Sequence, residues 1–203
     1  EAVARHLLSA AQETPKPGDQ QISRAEFRLI ATPLQSLEAA AAAARQSGVE
    51  PYILGPAIEG EARMTGYAHA AIALKLAGGA GPVRPPCVVL SGGETTVTVK
   101  GKGRGGNNSE FLLALALGLQ GTPGISALAC DTDGIDGTGD NAGAVVLPDT
   151  LARAAASGIN ATACLDTNDS YGFFDALGDL VITGPTGTNV SDFRAIYVEV
   201  GHS

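Results

Sequence analysis

Residues 87–111 read CVVLSGGETTVTVKGKGRGGNNSEF. The apolar runs Cys87–Ser91 and Thr95–Val99 have the composition of strands, and Gly92-Gly93-Glu94 between them suits a tight hairpin. The Thr/Val alternation of the second run leaves one of its faces less buried than the other. A loop with four glycines follows at 101–106, carrying positive charge at Lys100, Lys102 and Arg104. Behind Asn107 and Asn108 the spacing predicts a helix over 109–120, apolar nearly all round and therefore buried. Glycines let a backbone approach a ligand closely, and successive N–H groups can surround an anion. A helix N-terminus behind the loop adds unpaired N–H groups and the positive end of its dipole. The stretch thus predicts a phosphate or carboxylate site lined by Gly92, Gly93, Glu94, Lys102, Gly103, Gly105, Gly106 and Asn107. Arg104 is the candidate catalytic residue, because a guanidinium clamps an oxyanion through two parallel bonds. Lys100 and Lys102 supply field or are solvated.

Outward from this stretch the pattern is strand, helix, strand, helix. The segment 24–31 reads as a strand. Thr32-Pro33 opens a helix to Gln46, with an N-cap and then a first-turn proline. Pro51–Leu54 reads as a strand and Glu59–Leu76 as a helix. Downstream come strands at Ser126–Cys130, Ala144–Leu147 and Leu180–Thr183, helices at 149–157 and 168–177, and an edge strand at Arg194–Val200. This alternation predicts an α/β fold, a three-layer α/β/α domain with a mostly parallel, mixed sheet. Before it, residues 1–13 read as a helix with Val3, Leu7, Leu8 and Ala11 on one face, and TPKPGDQQ (14–21) as a linker. Residues 1–22 are therefore expected to be helix and linker from a further, N-terminal domain, and 23–203 the α/β domain.

A chain of 203 residues with 44% apolar and 4% aromatic content can bury a core built largely from alanine and glycine. The net charge of −8 opposes a nucleic-acid surface, and the cluster at 100–104 suits one small anion. Phe111–Leu119 is the longest apolar run, far below the ~18 residues of a membrane span. Three cysteines without zinc spacing read as free thiols, and the expected location is the cytoplasm. Four Asn-x-Ser/Thr sequons, beginning at Asn107, Asn160, Asn168 and Asn189, read as incidental.

GKGRGG (101–106) satisfies G-x-G-x-x-G. A dinucleotide fingerprint also needs a buried parallel strand directly before it, and the strand here alternates. A dinucleotide site and a plain flexible turn stay open beside the anion site. DTDGIDGTGDNAG (131–143) places Asp131, Asp133, Asp136 and Asp140 on one loop after a strand. Clustered carboxylates repel unless a cation or hydrogen-bond donors satisfy them, and magnesium needs only one or two of them. TGPTGTN (183–189) offers N–H groups with Thr186, Thr188 and Asn189, as a ligand loop or a structural turn. His6, His69 and His202 read as surface or capping residues, and Tyr171, Phe173 and Phe174 as core.

Four segments, LSGGETTVTVKGKGRGGNNSEF, DTDGIDGTGDNAGA, NDSYGFFDALGDL and TGPTGTNVSD, together resemble the C-terminal MOFRL domain of the type II glycerate kinases, whose members are often called hydroxypyruvate reductases. The resemblance implies transfer of phosphate from ATP to the 2-hydroxyl of D-glycerate with Mg²⁺, in a cleft between two α/β domains. It implies an anion-handling role for the loop with Arg104. It puts Asp133 and Asp136 in a TDGxDG motif as metal ligands, and Thr186, Thr188 and Asn189 in a GPTGTN motif that meets substrate. The implied partners are glycerate or a related hydroxy acid, the nucleotide and the absent N-terminal domain, and a homodimer is compatible with them. The chain departs from the family pattern at Asn107-Asn108, where Arg-Asn is commoner, and at Ala31–Pro33, where a GSN-type turn is usual. Two other chemistries stand beside the kinase: an NAD(P)H-dependent hydroxypyruvate reductase and a non-catalytic anion-binding module.

Overall fold

The computed structural model describes residues 1–9, 14–20, 22–26 and 28–201. The chain divides into two units, Glu1–Ile30 and Ala31–Ser203; the linker composition had placed the boundary after residue 22. In the first unit, helix α1 (Ala2–Ser9) has no buried residue, and Val3, Leu7 and Leu8 stand exposed. Ala11 and Phe27 lie outside the described residues. The strand expected over 24–31 is not formed among the described residues, and Leu29 and Ile30 are exposed. Apolar side chains alone do not make a strand; a ladder partner is required, and among the described residues none pairs with this segment.

The second unit opens with α2 (Pro33–Gln46), where the Thr32 side chain accepts the Gln35 N–H at 3.1 Å. Next come β1 (Glu50–Gly55), β2 (Gly60–Glu61), α3 (Ala62–Ala77), β3 (Cys87–Gly93), β4 (Thr95–Thr96) and α4 (Asn107–Leu119). After these follow β5 (Ile125–Asp131), β6 (Gly143–Val146), α5 (Thr150–Ala156), α6 (Ala161–Asp166), α7 (Ser170–Leu177), β7 (Leu180–Val181) and β8 (Asp192–Val198).

The six-stranded sheet has the order β1-β3-β8-β5-β6-β7. It is mixed: β1, β3, β5 and β7 point one way, but β8 and β6 run between them in the opposite sense. Only the β1–β3 ladder is therefore parallel, built by the crossover through α3. Two expectations change. The hairpin at Gly92–Glu94 does not form, because both edges of β3 are occupied by β1 and β8; Thr95-Thr96 pairs instead with β2 in a small parallel sheet. The last strand is central rather than an edge, since β8 inserts between β3 and β5. Ile196 and Val198 point into one core and Phe193 and Ala195 into the other.

The larger core gathers α3 and α4 with α6 and α7 on one face of the sheet, and α2 covers the other through Leu37 and Ala41 against Val88 and Leu90. This is the three-layer arrangement. Small residues let α3 and α4 approach closely: a Cβ on Gly66 would lie 2.3 Å from the Phe111 carbonyl, and one on Gly118 2.7 Å from Ala70 Cβ. Among the described residues no helix is long and apolar enough to cross a membrane.

Candidate functional site

The ends of three adjacent strands set the site's floor. Register places Asp192, the first residue of β8, opposite Gly93 on one side and Asp131 on the other. The Asp192 carboxylate is buried. It accepts both from Asn107 Nδ2, at 2.9 and 3.0 Å, and from Asn108 Nδ2, at 2.7 Å. It also accepts from the guanidinium of Arg194, which is fully buried. Arg194 reaches Thr95 Oγ1 at 3.2 Å and stacks 5.1 Å from the Phe111 ring. Burial lowers its pKa, while Asp192 and Glu94 oppose that shift. A buried charge is tolerable when it is paired and hydrogen-bonded, and here the pair anchors the N-terminus of α4 to the sheet.

Above this floor, carboxylate oxygens of Glu94, Asp131 and Asp192 all lie within 4.8 Å of one another. Partial burial, with the nearby Asp133 and Asp192 charges, pushes Asp131 up to about 6. Glu94 rises through desolvation and through Asp192. A hard cation would relieve this repulsion, and oxygen is its preferred donor.

The glycine loop is arranged differently from an open cradle. Asn168 Oδ1 accepts the N–H groups of Lys100 (2.7 Å) and Gly101 (3.0 Å), and the Thr167 carbonyl accepts that of Gly103 (3.0 Å). Asp169 takes the Arg104 N–H and Ser109 Oγ that of Gly106, each at 3.0 Å. At the first turn of α4, the Asn108 and Ser109 N–H groups donate to the Asp136 carboxylate, each at 2.9 Å. The helix N-terminus does hold an anion, and that anion is Asp136. A Cβ on Gly106 would meet Asp136 Oδ1 at 2.2 Å, and one on Gly137 would meet the Gly105 carbonyl at 2.6 Å. These glycines serve the approach of one loop to another. Asp136, of which a metal role was expected, is fully buried with its pKa raised by desolvation; its carboxylate caps the helix, and it is not among the three acids gathered within 4.8 Å.

Asp133 is half-buried and joins the second glycine loop. Its carboxylate accepts from the Ile135 N–H (2.8 Å) and from Asn189 Nδ2 (3.4 Å), and its carbonyl from the Thr186 N–H (2.9 Å). Thr186, Thr188 and Asn189 are exposed. Gly92 and Gly93 are buried in β3, with Gly93 at φ +122° and its would-be Cβ 2.2 Å from the Ile58 nitrogen. Lys100, Lys102 and Arg104 are exposed. The Arg104 guanidinium carbon lies 4.2 Å from the centroid of the Tyr171 ring.

Phe173 and Phe174 are core, as expected, and Tyr171 is nearly so. His6 is exposed and His202 lies outside the described residues, but His69 is buried rather than superficial. Its Nδ1–H donates to the Thr65 carbonyl (2.8 Å), which leaves Nε2 to accept from Ser91 Oγ (3.0 Å), and burial lowers its pKa. Sequence reasoning passed over Asp192, Arg194, Asn168 and Asp169 as site residues. Asp192, Asn168 and Asp169 sit within the recognised motifs, which was a usable signal; the role of Arg194 depends on a pairing between distant segments.

Comparison with known proteins agrees with this architecture. The MOFRL family matches residues 87–192. An Agrobacterium vitis protein provisionally named hydroxypyruvate reductase is 53% identical over 197 residues, covering 96% of this chain and 44% of its own length. The D-glycerate 2-kinase of Thermotoga maritima is 38% identical over 192 residues, covering 95% of this chain and 44% of its own. The crystal structure of glycerate kinase from Thermotoga maritima superposes with a TM-score of 0.84 at 33% identity, over 96% of this chain and 49% of that one. The chain thus spans about half the length of the relatives it matches. With the matched stretch running from β3 through the glycine loop and the acidic loop to Asp192, the chain belongs to the MOFRL family.

Proposed function

We propose that this chain is the C-terminal part of a glycerate 2-kinase, which transfers phosphate from ATP to the 2-hydroxyl of D-glycerate. The observation that carries the reading is the carboxylate cluster Glu94–Asp131–Asp192, set at the ends of adjacent strands. Phosphoryl transfer needs negative charge neutralised in position rather than covalent help from the protein. The donor set fits Mg²⁺: Glu94 and Asp131 would hold it, with Asp192 contributing what its own bonds leave. When bound, the ion neutralises charge on the phosphate oxygens. Arg104 binds an anionic oxygen through its forked N–H groups, with Lys100 and Lys102 adding field. Thr186, Thr188 and Asn189, held beside Asp133, offer hydroxyl and amide groups to the substrate. A second domain, corresponding to the rest of the relatives' length, closes the cleft over these groups, and residues 1–22 lead into it.

The glycines of GKGRGG, packed against Thr167, Asp169 and Asp136, do not present the open turn of a dinucleotide fingerprint. Full-length protein should release ADP when given ATP, Mg²⁺ and D-glycerate, and leave NADH and NADPH unoxidised with hydroxypyruvate. Hydroxypyruvate-dependent NADH oxidation without ADP release would replace the kinase with a reductase.

A further inference from the structure

Tyr171, on α7, lies where the cationic and acidic loops meet. Its backbone N–H donates to the Arg104 carbonyl at 2.9 Å, and its ring lies 4.2 Å beneath the Arg104 guanidinium carbon. Its hydroxyl donates to Asp140 Oδ1 at 2.8 Å. From the acidic loop, the backbone of Gly139 packs so close that a Cβ there would come within 3.0 Å of two ring carbons. A ring only 9% exposed thus supports a cation that is itself exposed. Left alone, an exposed arginine spreads over many rotamers and loses that freedom whenever it grips an anion. A fixed aromatic face and a backbone tether settle both ends of the residue beforehand.

We propose that Tyr171 is the positioning residue for Arg104, holding the guanidinium ready for an oxyanion without itself touching substrate. The contribution of Arg104 to turnover rests on the kinase reading; the stacking does not. Two features separate positioning from mere core filling. The ring should matter more than the hydroxyl, because Phe keeps the π face and the backbone donor. Loss of the ring should also matter only while Arg104 is present.

The test is a double-mutant cycle in the full-length protein with Tyr171→Met, Tyr171→Phe, Arg104→Ala and the Tyr171→Met/Arg104→Ala pair. Methionine retains apolar bulk without a π face. Kinetics are read below each variant's melting temperature. Tyr171→Met should lower kcat/KM by about ten- to a hundredfold, the scale of a misplaced catalytic group. Tyr171→Phe should stay within about threefold, and the pair should be no worse than Arg104→Ala alone. Losses that multiply in the pair, or a Phe variant as impaired as the Met variant, overturn the proposal. A protein without ATP turnover refutes the kinase reading instead, and the ring current on the Arg104 side-chain NMR signals then decides. Its presence in wild type and Tyr171→Phe and its loss in Tyr171→Met support the positioning; its absence in wild type overturns it.

Discussion

Asp136 and Asp133 stand three positions apart on one loop, yet they do different work. The Asp136 carboxylate, fully buried, satisfies two backbone donors at the start of α4. Asp133, half-buried, ties the acidic loop to Asn189. Removing the first strands two N–H groups in the interior and removes a negative charge from the positive end of a helix. Asp136→Ala should therefore cost about 2–3 kcal/mol, or roughly 5–10 °C in melting temperature, and Asp133→Ala under about 1 kcal/mol. Denaturant titration of the two variants checks this, and equal losses would contradict the capping role. Asp131 gives a pH signature. Its folded pKa of about 6 exceeds the ordinary 3.8, so the folded state holds a proton that the unfolded state has released. Below pH 3.8 there is no penalty; between 3.8 and 6 it grows, and above 6 it is complete. Without divalent cations, Asp131→Asn should be more stable than wild type at pH 7–8, the gap closing as pH falls towards 4. Asn keeps the oxygen that accepts the Asp133 N–H. A gap independent of pH would count against the assigned repulsion.

At the scale of elements, local signals were read well and pairings poorly. Thr32-Pro33 located α2 to the residue, because cap and first-turn proline act within four positions. The apolar helix after the glycine loop was also recognised, starting two residues earlier than expected. The short α6 carried its own Asn160 cap, which accepts the Ala163 N–H at 3.0 Å, and was missed because six residues give too little periodicity. The hairpin and edge-strand errors share one cause: whether a strand has a vacant edge is decided by a segment about a hundred residues away. The α3–α4 contact is the clearest case of composition becoming packing, since the alanine and glycine content reappears as a close helix crossing. Gly66→Ala gains helix propensity but drives a methyl group into the Phe111 carbonyl, so the net should be a loss of about 2 kcal/mol or more. Gly78→Ala at the end of α3, with φ −75° and ordinary contacts at 3.5 Å, should stay within about 0.5 kcal/mol of wild type. Thermal melts of both variants decide whether the crossing is as tight as its geometry.

For the molecule as a whole, the net charge of −8 and the gathered carboxylates point the same way. The acidic loop was legible in the sequence, but which acids would meet was not. That depends on β8 lying between β3 and β5, which brings Asp192 beside Asp131 and within reach of Glu94. A cation at this cluster removes repulsion present only in the folded chain, so it should bind folded protein in preference to unfolded. Mg²⁺ at ten times its dissociation constant should then add about 1.4 kcal/mol, or roughly 3–5 °C, to the melting temperature of the 203-residue chain. General screening of an acidic protein also stabilises it, so the comparison is with NaCl at equal ionic strength. The Glu94→Gln/Asp131→Asn double variant should lose the magnesium increment while keeping the response to NaCl. It should also start from a higher melting temperature at pH 7.5 in metal-free buffer, because the repulsion is already gone. An increment that survives in the double variant would move the cation elsewhere, and one no larger than that of NaCl would remove it from the site.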